Sequence, residues 1–206
     1  MKRLRKKYGA GIRFYMCGEY GPKLQRPHYH ACLFNHRFDD LVLWKPKTEK
    51  TEALYRSSQL EDLWTHPQSG TSLGYSSVGS LTFESAAYVA RYIMKKITGE
   101  QAYEHYGNLA PEYTDMSRRP GIGKNWFERY STDVYPHDFI VMNGKKLKPP
   151  EYYDGLYELQ SPENYKLLKE AREKAANRHL DNNSTERLKV REKIALKKLQ
   201  LLPRNL

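Results

Sequence analysis

The chain has 206 residues, a formal net charge of +11 and only two cysteines, Cys17 and Cys32. This length suffices for one domain with an extension and needs no disulfide framework, and the charge favours polyanions, of which nucleic acid and anionic membranes are the usual ones. No apolar run approaches the roughly 20 residues that span a bilayer, and the N-terminus lacks a signal-peptide core, so we expect a soluble, cytoplasmic protein.

Two neighbouring strands are predicted near the N-terminus. Residues 12–20 (IRFYMCGEY) are rich in apolar and aromatic side chains and end at a Gly-Pro turn, and residues 28–34 (HYHACLF) have the same character. The short, turn-rich connection GPKLQRP predicts that the two strands pair antiparallel. This pairing brings Glu19 near His28.

The central part of the chain is an irregular excursion followed by a strand and a helix. Residues 35–74 show only a weak helical pattern, between residues 49 and 64. Residues 74–82 (GYSSVGSLT) favour a third strand. Residues 83–97 (FESAAYVARYIMKKI) predict a helix that Gly99 terminates.

The C-terminal third contains a turn, a hairpin and two helices. The glycine-bearing turn SRRPGIGKNWF lies within residues 113–130, and Asn143-Gly144 between apolar runs predicts a hairpin within residues 138–153. Residues 163–179 and 185–201 have helical patterns, with twelve Lys/Arg against six Asp/Glu from Glu163 onward. We therefore predict a domain of residues 1–155 and a basic helical extension of residues 156–206, outside the sheet.

His28 and His30 are candidate metal ligands. In a strand the side chains alternate between faces, so the two imidazoles point the same way and can share one ion. A lone His-x-His is more often two unrelated surface histidines, but the Glu19 carboxylate on the preceding strand can supply a third ligand. A His/His/Glu set with open positions suits Mg²⁺ or Mn²⁺ bound to a phosphate oxygen. The alternative for Glu19 is a solvated side chain at a strand end.

Tyr88 and Tyr92 are candidate nucleophiles. They are four residues apart and lie on one face of the predicted helix, with Lys95 and Lys96 on or beside that face. The opposite stripe is apolar, which predicts that the helix docks without burying either phenol; it comprises Ala86, Val89, Ala90, Ile93 and Ile97. The alternative is a tyrosine pair that only packs. The nearby cations favour phenolate.

These residues predict a tyrosine-dependent, metal-assisted DNA nickase. Because a phenol with a pKa of about 10 is hardly ionised at neutral pH, the metal and a lysine must assist it. The ion would grip the scissile phosphate, and Tyr88 or Tyr92 would attack. The products are a 5′-phosphotyrosine link and a free 3′-hydroxyl. A second tyrosine within one turn would allow the regenerated junction to be cut while the first is occupied.

The sequence resembles the HUH (His-hydrophobic-His) rolling-circle replication initiators, closest to those of single-stranded DNA phages of the microvirus group. The matching strings are GEYGPKLQRPHYHACLF, AAYVARYIMKK and SRRPGIGKNWF, and the resemblance covers roughly residues 12–153. It implies that His28 and His30 bind the metal and that Tyr88 and Tyr92 are the nucleophiles. It also implies a catalytic lysine, Lys96 or its neighbour Lys95, and Glu19 as a third ligand common in the family but not universal.

The resemblance further implies an α+β fold of the ferredoxin-like, palm-like HUH endonuclease type. About five antiparallel strands would be flanked by helices, with the histidines on a central strand. Family members usually have a strand before the segment that opens this chain. The resemblance therefore predicts an N-terminally truncated domain with an open sheet edge.

The predicted partners are single-stranded origin DNA of a circular replicon and the host helicase and polymerase, in a bacterial cytoplasm. The residues between Lys2 and Arg13 supply six cations and no acid, and Tyr20 and Tyr29 are candidate base-stacking rings. The predicted DNA contacts are Arg13, Lys23, Arg26, Arg91 and Trp126. The alternatives are an HUH relaxase or transposase of a mobile element, and a non-catalytic nucleic-acid-binding protein.

Overall fold

The structure, a computed structural model, describes residues 1–21, 24–49 and 51–201, with Lys95 described by its backbone alone. It divides into two compact units, one formed by Met1–Ile122 and the other beginning at Gly123. Both contain helices and antiparallel strands, so the α+β class is confirmed. Within the described residues no helix is long and apolar enough to cross a bilayer.

The first unit contains a small sheet, a separate hairpin and four helices within its described residues. In chain order these are α1 (Lys2–Tyr8), β1 (Arg13–Tyr20), β2 (Pro27–Phe34), β3 (Val42–Lys45), β4 (Leu54–Arg56), α2 (Ser58–Leu63), α3 (Phe83–Arg91), α4 (Gln101–Tyr106) and β5 (Tyr113–Met116). A 3₁₀ turn, Tyr92–Lys95, continues α3. The sheet has the order β2-β1-β5, and β3 pairs with β4.

The predicted pairing of the first two strands is confirmed. β1 and β2 run antiparallel, with Glu19 opposite His28 and Cys17 opposite His30. Residues directly opposite each other point to the same face of an antiparallel sheet. The two histidines, Glu19 and Cys17 therefore share one face of the sheet, which we call the site face.

Helix α3 covers the site face. It begins with a capping box in which the Thr82 hydroxyl accepts from the Ser85 N–H at 3.2 Å and the Ser85 hydroxyl accepts from the Thr82 N–H at 2.8 Å. These bonds satisfy two otherwise unpaired donors at the helix start. The helix then packs on the sheet through a buried cluster of Cys17, Cys32, Val89 and Tyr92, so both cysteines are buried as expected.

The predicted extent and docking face of this helix were wrong in part. The α-helix ends at Arg91, and the 3₁₀ turn that follows has three residues per turn. Apolar positions beyond Tyr92 therefore leave the stripe that faces the sheet, and Ile93 and Met94 are 38% and 66% exposed. Ala90 is also exposed, and the helix docks instead through Val89 and the Tyr92 ring.

The predicted position of the histidines in the sheet was also wrong. In the described part of the chain the sheet has three strands, with β2 at its edge and β1 in the centre. The predicted third strand, residues 74–82, contributes only one bridge, between Val78 and Tyr55. That stretch is rich in glycine and serine, which pack poorly in strands. The HUH assignment of the fold stays a prediction.

The second unit combines a hairpin with four helices in the described residues. They are α5 (Lys124–Val134), β6 (Ile140–Met142), β7 (Lys145–Leu147), α6 (Glu151–Gln160), α7 (Pro162–Asn177) and α8 (Thr185–Gln200). The Asn143-Gly144 turn has positive φ at both residues, which confirms the predicted hairpin. The two predicted C-terminal helices are confirmed as α7 and α8. The domain boundary after residue 155 stays a prediction, and α6 runs across it.

A buried charge network attaches α7 to the rest of its unit. The Arg172 guanidinium donates to the Asp154 carboxylate at 2.7 Å and to Asp138, and the Tyr135 hydroxyl donates to Asp154 at 2.6 Å. Burial acts to raise the pKa of Asp154, but the bonds from Arg172 and Tyr135 outweigh it and hold that pKa below its usual value. Helix α7 is thus part of a packed unit, whereas every residue of α8 is exposed.

Candidate active site

Glu19 and His30 form a contact pair on the site face. The Glu19 Oε1 atom lies 3.1 Å from the His30 Nε2 atom. The Glu19 side chain is only 7% exposed, whereas that of His30 is 31% exposed. A buried carboxylate next to an accessible imidazole offers an oxygen and a nitrogen donor at one place.

The two predicted nucleophiles lie against this pair. The His30 ring stacks on the Tyr92 ring, with centroids 4.6 Å apart and planes 12° from parallel. The Tyr88 ring meets His30 edge-on, with centroids 6.3 Å apart. The Tyr92 hydroxyl donates a hydrogen bond to the Tyr88 hydroxyl. The structure therefore brings Glu19, His30, Tyr88 and Tyr92 together on one face of the sheet.

The two phenols have different environments. Tyr92 is 7% exposed, whereas Tyr88 is only partly buried. Burial, the hydrogen bond with Tyr88 and the negative charge of Glu19 all raise the pKa of Tyr92 well above its usual value. The expectation that nearby cations would favour phenolate was wrong for Tyr92, because burial and Glu19 dominate there. The Arg91 guanidinium instead lies 5.8 Å from the Tyr88 ring centroid.

His28, the second predicted imidazole ligand, is exposed at the end of β2. Its ring lies against Gly21, where a Cβ atom would be 2.6 Å from the His28 Cε1 atom. Only glycine leaves room for the ring in this position. His28 stands directly opposite Glu19 in the strand register, beside the Glu19–His30 pair.

The donor set suits a divalent ion, but it is not assembled into a closed site. Among the residues that the structure describes, no group of three His, Cys, Asp or Glu side chains is arranged to hold a metal. The Glu19–His30 pair supplies two adjacent donors, and His28 lies on the same face. A nitrogen and oxygen donor set with open positions fits Mg²⁺ or Mn²⁺, so these residues stay the predicted ligands.

The predicted catalytic lysines follow the tyrosines at the end of the 3₁₀ turn. Lys96 is exposed, and its backbone N–H bonds the Ile93 carbonyl at 3.2 Å. The Lys95 side chain lies outside the described part of the structure. Catalysis by either lysine stays a prediction.

The predicted DNA contacts are spread over the chain. Arg13 lies at the other end of β1 from Glu19 and donates to the Ala10 carbonyl at 3.0 Å. Arg26 is exposed in the connection between β1 and β2, and Lys23 lies outside the described residues. Trp126 belongs to the second unit, where it stacks on Tyr153 with centroids 5.7 Å apart. Of the predicted DNA contacts described, only Arg91 touches the tyrosine pair.

The N-terminal basic residues have mixed roles. The Arg5 guanidinium donates to the Ile12 carbonyl and the Ser117 hydroxyl, and Arg3 donates to the Thr65 hydroxyl. These two arginines hold α1 in place. Lys2 and Lys6 are exposed and stay available to a polyanion.

A buried pair that the sequence analysis missed anchors the backbone after the tyrosine segment. The Tyr106 hydroxyl donates to the Glu112 carboxylate and accepts from the Ile97 N–H at 2.9 Å. Burial and the bond to Glu112 raise the pKa of Tyr106. The pair joins α4 to the residue before β5, and no local sequence pattern reports such a tertiary contact.

Comparisons with known proteins identify the family. Residues 1–97 match the family described as replication-associated protein of the ORF2 type. The chain is 34% identical over 174 residues to Replication-associated protein VP4 of Bdellovibrio phage phiMH2K, a match that covers 80% of this chain and 52% of that protein. It is 35% identical over 179 residues to Replication-associated protein ORF2 of Spiroplasma virus 4, covering 82% of this chain and 51% of that protein.

A third relative is Replication-associated protein ORF4 of Chlamydia phage 1, with 31% identity over 171 residues, 75% of this chain and 39% of that protein. The chain thus spans about half the length of the first two relatives. No solved structure matches it. Through its first 97 residues, which carry the Glu19, His30, Tyr88 and Tyr92 cluster, the chain belongs to this ORF2-type family of replication-associated proteins, together with its phage relatives.

Proposed function

We propose that this chain initiates rolling-circle replication by nicking single-stranded origin DNA through a tyrosine. The observation that carries the proposal is the cluster of Glu19, His30, Tyr88 and Tyr92 on the site face. A carboxylate, an imidazole and two phenols in mutual contact supply ion ligands and nucleophiles at one position. Packing alone does not require this combination, because apolar side chains would fill the same space more favourably.

The proposed reaction is a transesterification. A tyrosine oxygen forms a bond to the scissile phosphorus while the bond from phosphorus to the 3′ oxygen breaks. The phenol proton leaves to solvent, and the 3′ oxygen takes up a proton to become a hydroxyl. The products are a 5′-phosphotyrosine link, which retains the ester for religation, and a 3′-hydroxyl that a polymerase extends.

Tyr88 is the proposed first nucleophile. Its ring is partly exposed, whereas Tyr92 is 7% exposed within the core cluster. The Tyr88 oxygen also accepts the hydrogen bond that Tyr92 donates, which supports negative charge on Tyr88 as it attacks. Tyr92 is the proposed second nucleophile, which acts on the regenerated junction when Tyr88 is occupied.

His30, Glu19 and His28 are the proposed ligands of a Mg²⁺ or Mn²⁺ ion, which when bound would withdraw electron density from the scissile phosphate. Glu19 also orients the His30 imidazole through their 3.1 Å contact. His30 in turn packs flat on Tyr92 and fixes its ring. Lys96, with Lys95 as the alternative, is proposed to balance the charge that develops near the phenol.

Replication is favoured over the relaxase and transposase alternatives by the names of the three relatives, each a replication-associated protein of a phage or virus. The proposed partners are accordingly an origin strand of a circular replicon and the helicase and polymerase of a bacterial host, met in its cytoplasm. A non-catalytic nucleic-acid-binding role is the outcome that the experiment below separates from nicking.

The test is the formation of a denaturation-resistant protein–DNA adduct. The chain is incubated with Mn²⁺ and single-stranded oligonucleotides that tile the replicon encoding it, and adducts are resolved on denaturing gels. We expect one oligonucleotide to give an adduct that the Tyr88→Phe/Tyr92→Phe variant does not form. The matched control is Tyr75→Phe/Tyr103→Phe, which removes two exposed phenols far from Glu19 in sequence and should retain it. An adduct that persists in the first variant would refute the assignment.

A further inference from the structure

A cavity of about 260 Å³ opens in the first unit beside the candidate active site. Its walls come from the end of β1, the residue after the tyrosine segment, α4 and the residue that precedes β5. The lining includes Tyr20, Gly21, Gln25, Ile97, Tyr106 and Glu112. The rim carries His105, whose ring meets Tyr106 edge-on with centroids 4.7 Å apart.

Two contacts connect this cavity with the proposed catalytic residues. Gly21 lines the cavity and is the residue against which the His28 ring lies. Ile97 lines it too, directly after Lys96, and its N–H donates to the Tyr106 hydroxyl at 2.9 Å. A DNA strand whose phosphate lies at Tyr88 would therefore pass the mouth of the cavity within the next nucleotides.

The cavity is polar on one side and aromatic on the other. Glu112 is 7% exposed; one of its carboxylate oxygens accepts from Tyr106, and the other has no hydrogen-bond partner among the described residues. Tyr20 is held at the opposite wall because its hydroxyl donates to the Ala110 carbonyl at 2.9 Å. A nearly buried acceptor between aromatic rings requires a donor from a ligand or from water.

The chemistry of the lining selects the occupant. The Glu112 carboxylate repels phosphate, so the DNA backbone is a poor fit. A metal ion is also disfavoured, because no described group of three ligating side chains lies here. A nucleobase matches the flat aromatic wall and the unsatisfied acceptor, and the cavity volume exceeds that of one base.

We propose that this cavity is a base-specificity subsite, which takes one unpaired base of the bound strand and selects bases that carry an exocyclic amino group. The proposal rests on the proposed function, since it assumes that the chain binds single-stranded DNA. An ionised carboxylate only accepts hydrogen bonds, so Glu112 favours the amino groups of cytosine, adenine and guanine. Uracil and thymine carry a carbonyl in the corresponding position, which the carboxylate repels.

The test compares binding of oligo(dC) and oligo(dU) of equal length, two probes whose bases differ in an amino group against a carbonyl. Fluorescence anisotropy without added metal reports binding alone. We expect the wild-type chain to bind oligo(dC) about tenfold more tightly, the size expected for a hydrogen bond to a charged acceptor. Glu112→Gln supplies an amide donor and should abolish this preference, whereas the control Glu158→Gln, at an exposed site of equal charge, should retain it.

The outcomes separate this proposal from the proposed function. Equal binding of the two probes by the wild type, or an unchanged preference in Glu112→Gln, overturns the subsite. Adduct formation without any base preference overturns the subsite and leaves nicking intact, whereas no binding to either probe overturns both. If circular dichroism finds Glu112→Gln unfolded, the exposed rim variant His105→Ala decides: weaker oligo(dC) binding supports the subsite, and unchanged affinity overturns it.

Discussion

Replacing Tyr88 with Phe tests the unequal environments of the two phenols. The first cleavage would then depend on Tyr92, whose side chain is 7% exposed. An aromatic side chain buries roughly 150–250 Å², so exposing half of the ring uncovers about 100 Å². At about 25 cal/mol per Å² this step costs about 2.5 kcal/mol, which slows cleavage roughly 70-fold.

The reverse substitution, Tyr92→Phe, should have a smaller effect. It removes the hydrogen bond that Tyr92 donates to the attacking oxygen but leaves Tyr88 in place. Because a single hydrogen bond contributes about 0.5–1.5 kcal/mol, the first cleavage should slow by at most about tenfold. The later transfer, which needs a second phenol, should be lost.

Single-turnover adduct formation followed by tryptic mapping checks both statements. Trypsin cuts after Arg91 and so separates the two tyrosines, with Tyr88 in peptide 57–91 and Tyr92 in peptide 92–95. In the wild type the nucleotide should first appear on the longer peptide. Initial attachment to the shorter peptide, or equal rates for wild type and Tyr88→Phe, would refute the argument from burial.

Further predictions concern the ion, the charge and the second unit. His30→Ala should raise the Mn²⁺ concentration for half-maximal adduct formation by at least about tenfold in a titration, and an unchanged titration curve would argue against a ligand role. Affinity for single-stranded DNA should fall steeply with salt, with log K losing about 0.7 per phosphate neutralised for each unit of log[salt]; a flat response would contradict an electrostatic groove. Arg172→Ala should destabilise the second unit by about 3 kcal/mol in urea unfolding, because Asp138 and Asp154 lose their partner, whereas Lys166→Ala at an exposed site should not. The low pKa of folded Asp154 contributes stability that is present above its unfolded value of 3.8 and lost as the pH falls further, so acid unfolding below about pH 4 should be less steep in Arg172→Ala.

Local sequence patterns predicted the strand part of the site. The alternation of side chains places His28 and His30 on one face, and the short Gly-Pro connection brings Glu19 opposite His28. Both inferences depend only on strand period and turn chemistry. The four-residue spacing also placed Tyr88 and Tyr92 side by side.

The predictions that failed depend on tertiary packing. An amphipathic tyrosine at position 92 can face solvent or core, and the choice was decided by the Cys17, Cys32 and Val89 surface, which no local pattern reports. The change to a 3₁₀ turn at Tyr92 is likewise invisible in the apolar spacing. The pairing of β5 with β1 joins segments about half the chain apart, so it could not be inferred from either strand alone.

The central claim is that the proposed ion and both phenols occupy one place, and Mn²⁺-induced line broadening measures this directly. The chain is labelled with 3-fluorotyrosine, and the signals of Tyr88 and Tyr92 are assigned by their loss in the two Phe variants. We predict that substoichiometric Mn²⁺ selectively broadens these two ¹⁹F signals, and that His30→Ala removes the effect. Signals of Tyr88 and Tyr92 that stay sharp, or that broaden no more than those of exposed tyrosines such as Tyr75, would contradict the account.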